Sequence, residues 1–232
     1  MRKRTFRVVG HGDGPHAKKA VDLAIKPRHA NAEITAVDVE GAQYAKYLKR
    51  LGLREKPSNL RVRGRTSSVD YLKTVRSNSL DHQWAHFTAT AMRFYVRREF
   101  FAEVFRTLKK GGKFTIVDSA MSATQLLREL TKAGFSCSLK RLNVAEAKKL
   151  DTPYMDWFAR EQEAMRKSVL GADGKIDKNM VAQMRQAWIQ IHLLREGKVT
   201  GEVRAALQSA ADNMEKTFSE QPYCRIVAVK RK

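Results

Sequence analysis

Three glycines at alternate positions, Gly10, Gly12 and Gly14, follow directly on the apolar run Phe6-Arg7-Val8-Val9. A helix-compatible segment from His16 to Ile25 comes next. No other feature restricts the fold so strongly. A strand that stops in a glycine-rich turn and re-emerges as a helix has backbone free to take positive φ and no side chains over the turn. Open α/β sheets hold nucleotide-like ligands at such a place, outside the carboxyl ends of their strands. The spacing is Gly-x-Gly-x-Gly followed by Pro15, which is not the Gly-x-Gly-x-x-Gly of dinucleotide-binding folds.

Strand and helix signals then alternate. Strands are expected at 6–10, 33–39, 59–63, 80–86 and 113–118, and helices at 16–26, 42–52, 92–109 and 122–133. Such alternation makes βαβ units and a mostly parallel sheet. Gly111-Gly112 is expected to end the helix 92–109, and Gly134 the helix 122–133, as glycine does at helix C-termini. A sixth strand is expected at 135–142. Helices follow at 144–150, 153–169, 177–196 and 200–217, the last three separated by Gly171-Ala172-Asp173-Gly174 and Glu196-Gly197. The run from Cys224 to Val229 is strand-like and most simply returns to the first sheet. Three parts are therefore expected: a core of residues 1–143, a helical insertion of 144–222, and a last strand with a basic tail in 223–232.

The second strand carries Asp38 near its end, 24 residues after Gly14, where a carboxylate can accept hydrogen bonds from a ribose diol. Here the chain resembles the class I, Rossmann-like S-adenosylmethionine-dependent methyltransferases. The resemblance covers about 1–143 and 224–230. It rests on Gly10-His11-Gly12-Asp13-Gly14, on Ala36-Val37-Asp38-Val39-Glu40, and on the run Phe105 to Phe114 with its Leu108-Lys109-Lys110-Gly111-Gly112 turn. It implies an α/β fold with a seven-strand sheet whose third strand is an edge. The sixth and seventh strands would form a hairpin-like edge, with the helical insertion between them in sequence.

The resemblance also implies a cofactor, S-adenosylmethionine, and roles by position. Gly10, Gly12 and Gly14, with His11 among them, would let the backbone approach the methionine part. Asp38, with Val39 beside it, would hold the ribose hydroxyls. Arg65 and Thr66 would face the adenine, and His86 would border the methyl-transfer site. Val8 and Arg65 stand where the family usually carries acids. Two negative charges are thus missing beside a sulfonium cofactor, and Asp13 compensates in part.

The chain holds 45 Lys and Arg against 24 Asp and Glu, a formal net charge of +21. Residues 1–143 carry 29 basic and 12 acidic groups, residues 144–222 carry 12 of each, and residues 223–232 carry four basic and none acidic. The excess belongs to the core and the tail, and it points to a polyanionic partner, RNA foremost. Arg61, Arg63 and Arg65 alternate along the third strand and share one face, as a phosphate-binding ladder or as an edge charged against aggregation. Arg93, Arg97 and Arg98 on the helix 92–109 are further nucleic-acid contacts or a solvated face. His82, Trp84 and His86 share a face of the fourth strand. His86 is either a general base or a structural histidine. No second ligand pair has metal-site spacing, so no metal is expected.

No segment has the roughly 20 apolar residues of a membrane span. Met1-Arg2-Lys3-Arg4 runs straight into the first strand, leaving no room for a leader. Cys137 and Cys224 are expected as free thiols in a reducing compartment, hence a cytoplasmic protein. The expected function is methyl transfer from S-adenosylmethionine to RNA, ribosomal or transfer. Two alternatives stay open: a non-catalytic RNA-binding or ribosome-associated protein on the same fold, and a small-molecule methyltransferase.

Overall fold

The computed structural model describes residues 6–11, 20, 21, 23–26, 31–38, 49, 55–149, 160, 163–214, 218 and 221–231. Gly12, Gly14 and Val39 lie outside these, as do most of the expected helices 16–26 and 42–52 and residues 153–159, 161 and 162 of the helix 153–169.

The apolar runs become strands because their side chains alternate between two covered faces. β1 (Phe6–His11), β2 (Ala32–Asp38), β3 (Leu60–Gly64) and β4 (Leu80–His86) pair in parallel as β3-β2-β1-β4. On one face, Val8, Ile34, Ala36, Leu60 and Trp84 pack with Ala20, Val21 and Ala24 of the first helix. Small residues on that helix let it lie close to the sheet. Gly10 belongs to the same face, and a Cβ there would fall inside the indole ring of Trp84, its register partner on β4. Gly10 is therefore fixed by packing.

On the opposite face lie α1 (Ser68–Thr74) and α2 (Phe94–Thr107). Ser67 caps α1 by accepting from Asp70 N–H. Phe100, Phe101 and Val104 of α2 are buried, and Phe100 and Phe101 meet Phe114 of β5 (Leu108–Ser119) edge-on. α2 ends at Thr107, two residues before the expected Lys109, and β5 starts five residues before the expected Lys113. The Thr107 hydroxyl donates back to Glu103 O at 2.8 Å, and Leu108 is already extended. Gly111, at φ 74°, lies within β5 and not at a helix end. α3 (Ala123–Lys132) stops before Gly134, whose φ is 99°, as expected.

The remaining elements are β6 (Phe135–Leu142), α4 (Val144–Lys148), α5 (Lys178–Glu196), α6 (Gly201–Ala211) and β7 (Tyr223–Lys230). The seven strands form one sheet in the order β3-β2-β1-β4-β5-β7-β6. The last strand enters between the fifth and sixth, and β3 is an edge. Contacts divide the chain into two compact units, one of Met1–Ile116, Glu129–Ser138 and Ile226–Lys232, the other of Val117–Arg128 and Leu139–Arg225. In the second unit Val169, Val181, Met214 and Phe218 form a small core, flanked by Met184 and Trp188. Asp177 caps α5, accepting from Asn179 and Met180 N–H, and Gly197, at φ 73°, ends it.

Candidate functional site

In the order β3-β2-β1-β4-β5, the chain passes from β1 to one side and later returns to the other. The switch point is between β1 and β4, and ligands of open α/β sheets bind beyond the carboxyl ends of strands at such a point. β1 ends there in Gly10-His11, and β4 in His86-Phe87-Thr88. The Thr88 hydroxyl donates to His11 O at 3.2 Å and His86 O at 3.0 Å, tying the two ends together. Asp38 ends β2 opposite Gly64. Arg65 and Thr66 follow at the end of β3, with the Thr66 hydroxyl on Gly64 O. Four strand ends thus line one edge over about 14 Å, three strand spacings. Two non-glycine residues on this edge hold left-handed backbone, Arg65 at φ 58° and Phe87 at φ 54°. Conformations of this kind are costly and cluster at functional sites.

His11 is fully buried and forms the centre of a polar pair that the sequence did not reveal. Gln83 Nε2 donates to Thr107 Oγ1 at 2.9 Å and to Val104 O at 3.2 Å. Its Oε1 is therefore the acceptor facing His11, and His11 Nε2–H donates to it at 2.9 Å. That fixes the tautomer. Burial pushes the imidazole down to about 4, with the Gln83 bond opposing. Nδ1 is a buried bare acceptor with no hydrogen-bond partner among the described residues. The sequence did hold a signal: Asp81, His82, Gln83 and His86 make β4 unusually polar for a buried parallel strand.

Other expected site residues fall differently. His86 is fully enclosed at the end of β4. As a general base it would need reach to a substrate, which enclosure denies in this conformation. Arg97 is a correction: it is buried, with Nε and Nη2 on the Glu129 carboxylate at 2.7 and 2.8 Å, and so unavailable to nucleic acid. Arg93 and Arg98 remain exposed on α2. Arg61 is exposed but paired with Glu33 at 3.3 Å. Arg63 and Arg65 are exposed on the edge strand and just beyond it. α2 packs under β4, three places from β3 in the sheet, so the two groups of arginines do not form one cluster. His82 is structural, with Nε2 3.0 Å from Thr115 Oγ1. Among the described residues no three His, Cys, Asp or Glu cluster as metal ligands. No helix there is long and apolar enough to cross a membrane.

Residues 8–116 match a family profile described as a methyltransferase domain. Over that stretch the chain is similar to the methyltransferase-domain family, and its seven-strand sheet has the class I, Rossmann-like fold. Similar solved structures carry the same fold at low identity. Phosphoethanolamine N-methyltransferase 2 of Haemonchus contortus, in complex with S-adenosyl-L-methionine, is 15% identical with a TM-score of 0.51, covering 100% of this chain and 50% of that one. The chain thus spans half the length of the Haemonchus protein. A complex of the Haloferax volcanii Trm112 methyltransferase activator with a methyltransferase gives 11% identity and a TM-score of 0.53, with 100% and 86% covered. The [4+2]-cyclase SpnF gives 17% and 0.53, with 98% and 75% covered. No curated protein matches the chain in sequence.

Proposed function

We propose that the chain binds S-adenosylmethionine along the carboxyl ends of β1 to β4 and transfers its methyl group to RNA. The observation that carries this reading is the methyltransferase-domain match over residues 8–116 on a sheet with its switch point between β1 and β4. The charge at the end of β1 suits the cofactor. A cationic sulfonium disfavours nearby cations, and His11, at the end of β1, is held neutral by burial. It adds no positive charge there. Asp38 ends β2 where a ribose diol would lie, and the backbone after Gly10 would take the methionine part. Arg65 and Thr66 would border the adenine.

When bound, S-adenosylmethionine supplies an electrophilic methyl group. The chain's own work is positional. Thr88 fixes the spacing of the β1 and β4 ends, and Trp84 fills the space beneath Gly10 and keeps water from it. RNA as acceptor is supported by the +21 charge and by its concentration outside residues 144–222. We read residues 144–222 as a helical insertion in a core of 1–143 and 223–232. The two free cysteines fit a reducing, cytoplasmic setting.

A second reading, a non-catalytic RNA-binding protein on the same fold, is favoured by Val8 and Arg65 in place of acids and by the enclosure of His86. A small-molecule acceptor is the third, in line with the substrate in the name of the Haemonchus enzyme. Calorimetric titration with S-adenosylmethionine and with its demethylated product separates them. Saturable binding, with transfer of labelled methyl to RNA, is the expected outcome. No heat at millimolar ligand removes the enzyme readings. Transfer to small amines or acids, with none to RNA, selects the third.

A further inference from the structure

Glu33 lies on the face of the sheet opposite the first helix, between two arginines. Its Oε2 takes Arg7 Nε at 3.0 Å and its Oε1 takes Arg61 Nη2 at 3.3 Å. Both oxygens are thereby engaged. The neighbouring carboxylate, Asp81, accepts Arg7 N–H and holds Lys109 Nζ at 2.8 Å through both oxygens. Arg63 and Arg76 are left exposed, with no carboxylate on either among the described residues. The two open on one concavity of about 310 Å³, between this face of β1–β3 and α1, together with Arg7, Glu33, Thr35 and Tyr71.

From this arrangement we infer a phosphate-binding cleft. Arg7 keeps its terminal nitrogens for a ligand while Nε is on Glu33, and Arg63 and Arg76 offer whole guanidinium forks. Hydroxyls of Thr35 and Tyr71 add neutral hydrogen-bonding groups. Guanidinium forks match phosphate oxygens with paired donors, and a concave site excludes part of the competing water. The volume suits one phosphorylated unit and not an extended apolar ligand. An edge charged only against aggregation would need neither a concavity nor Arg76, which comes from the turn after α1. The cleft lies between the sheet's face and α1, apart from the strand ends where the cofactor is proposed. It anchors a phosphate and does no chemistry.

Two sources share this chemistry: the phosphodiester backbone of an RNA, and a free phosphate or phosphomonoester. The first source rests on the RNA reading above, and the cleft itself does not. The test uses the full chain, inorganic pyrophosphate and a single-stranded RNA oligonucleotide of mixed sequence, each titrated at several salt concentrations. Arg63→Gln/Arg76→Gln removes two exposed side chains, and Arg93→Gln/Arg98→Gln serves as the control of equal charge. The cleft variant is expected to lose roughly tenfold in pyrophosphate affinity, the size of about one charged hydrogen bond, while the control does not. If RNA is the source, the slope of log affinity against log salt falls by about 0.7 per lost phosphate contact. Pyrophosphate binding that depends on the cleft, without RNA binding, upholds the cleft and removes the RNA reading. RNA binding that both variants weaken equally, with no cleft-dependent pyrophosphate binding, overturns the cleft and leaves the RNA reading intact.

Discussion

At the scale of single residues, His11 carries the clearest physical consequence. Its folded-state pKa is about 4 against an ordinary value of 6.5. The unfolded chain therefore binds a proton between those values that the folded chain refuses. Stability is fully present above about pH 6.5 and falls as pH drops toward 4, by on the order of 3 kcal/mol across that window. Urea midpoints measured over this range should show the loss, and His11→Gln should flatten it. An unchanged slope in the variant would mean that His11 is not the group responsible. His192 in α5, also lowered by burial first, acts in the same direction. The sequence showed where His11 stands but not what it does. Its role depends on Gln83, 72 residues away, and on a carbonyl and a hydroxyl of α2 that force the direction of the amide.

Among the elements, α2 shows how distant contacts set a boundary. Glycine at 111 and 112 suggested a helix running to about Lys109. In the fold, Lys230 of β7 reaches the helix end, its Nζ donating to Phe105 O at 2.7 Å and to Leu108 O at 2.9 Å. It also donates to Asn78 Oδ1 at 2.9 Å and lies 4.6 Å from the Phe105 ring centre. A cation on the carbonyls around a helix C-terminus favours a helix end there. Arg97 does comparable work between α2 and α3, since both its side chain and that of Glu129 are more than nine-tenths buried. Arg97→Ala leaves a carboxylate buried without its partner and should cost about 3–5 kcal/mol. Replacing both, as Arg97→Met/Glu129→Leu, should recover most of that. Chemical denaturation of the two variants checks it, and a double variant no more stable than the single one would count against the argument.

For the whole molecule, the net charge of +21 opposes compaction unless a partner or salt screens it. Raising salt from about 20 to 200 mM shortens the screening length roughly threefold, so the thermal midpoint should rise by a few degrees. A flat response would mean that the like charges are already compensated within the fold. The strand–helix alternation was legible in advance, because apolar runs and a glycine turn are local patterns that backbone sterics and burial translate directly. The seven-strand sheet and the edge position of β3 were implied by the methyltransferase resemblance that the glycine turn, Asp38 and the Leu108 to Gly112 turn carry. Which basic groups remain available was not legible. Arg7 and Arg61 are held by Glu33, and Arg97 by Glu129, through pairings that join residues 26 to 32 positions apart. Arg63 and Arg76 come from different elements and meet at one cleft only because β3 and the turn after α1 are brought together. The sequence by itself determined the strand–helix alternation and the sign of the surface charge. Tertiary structure alone decided which arginines are neutralised and which stay open, because ion pairing depends on distance in space and on burial.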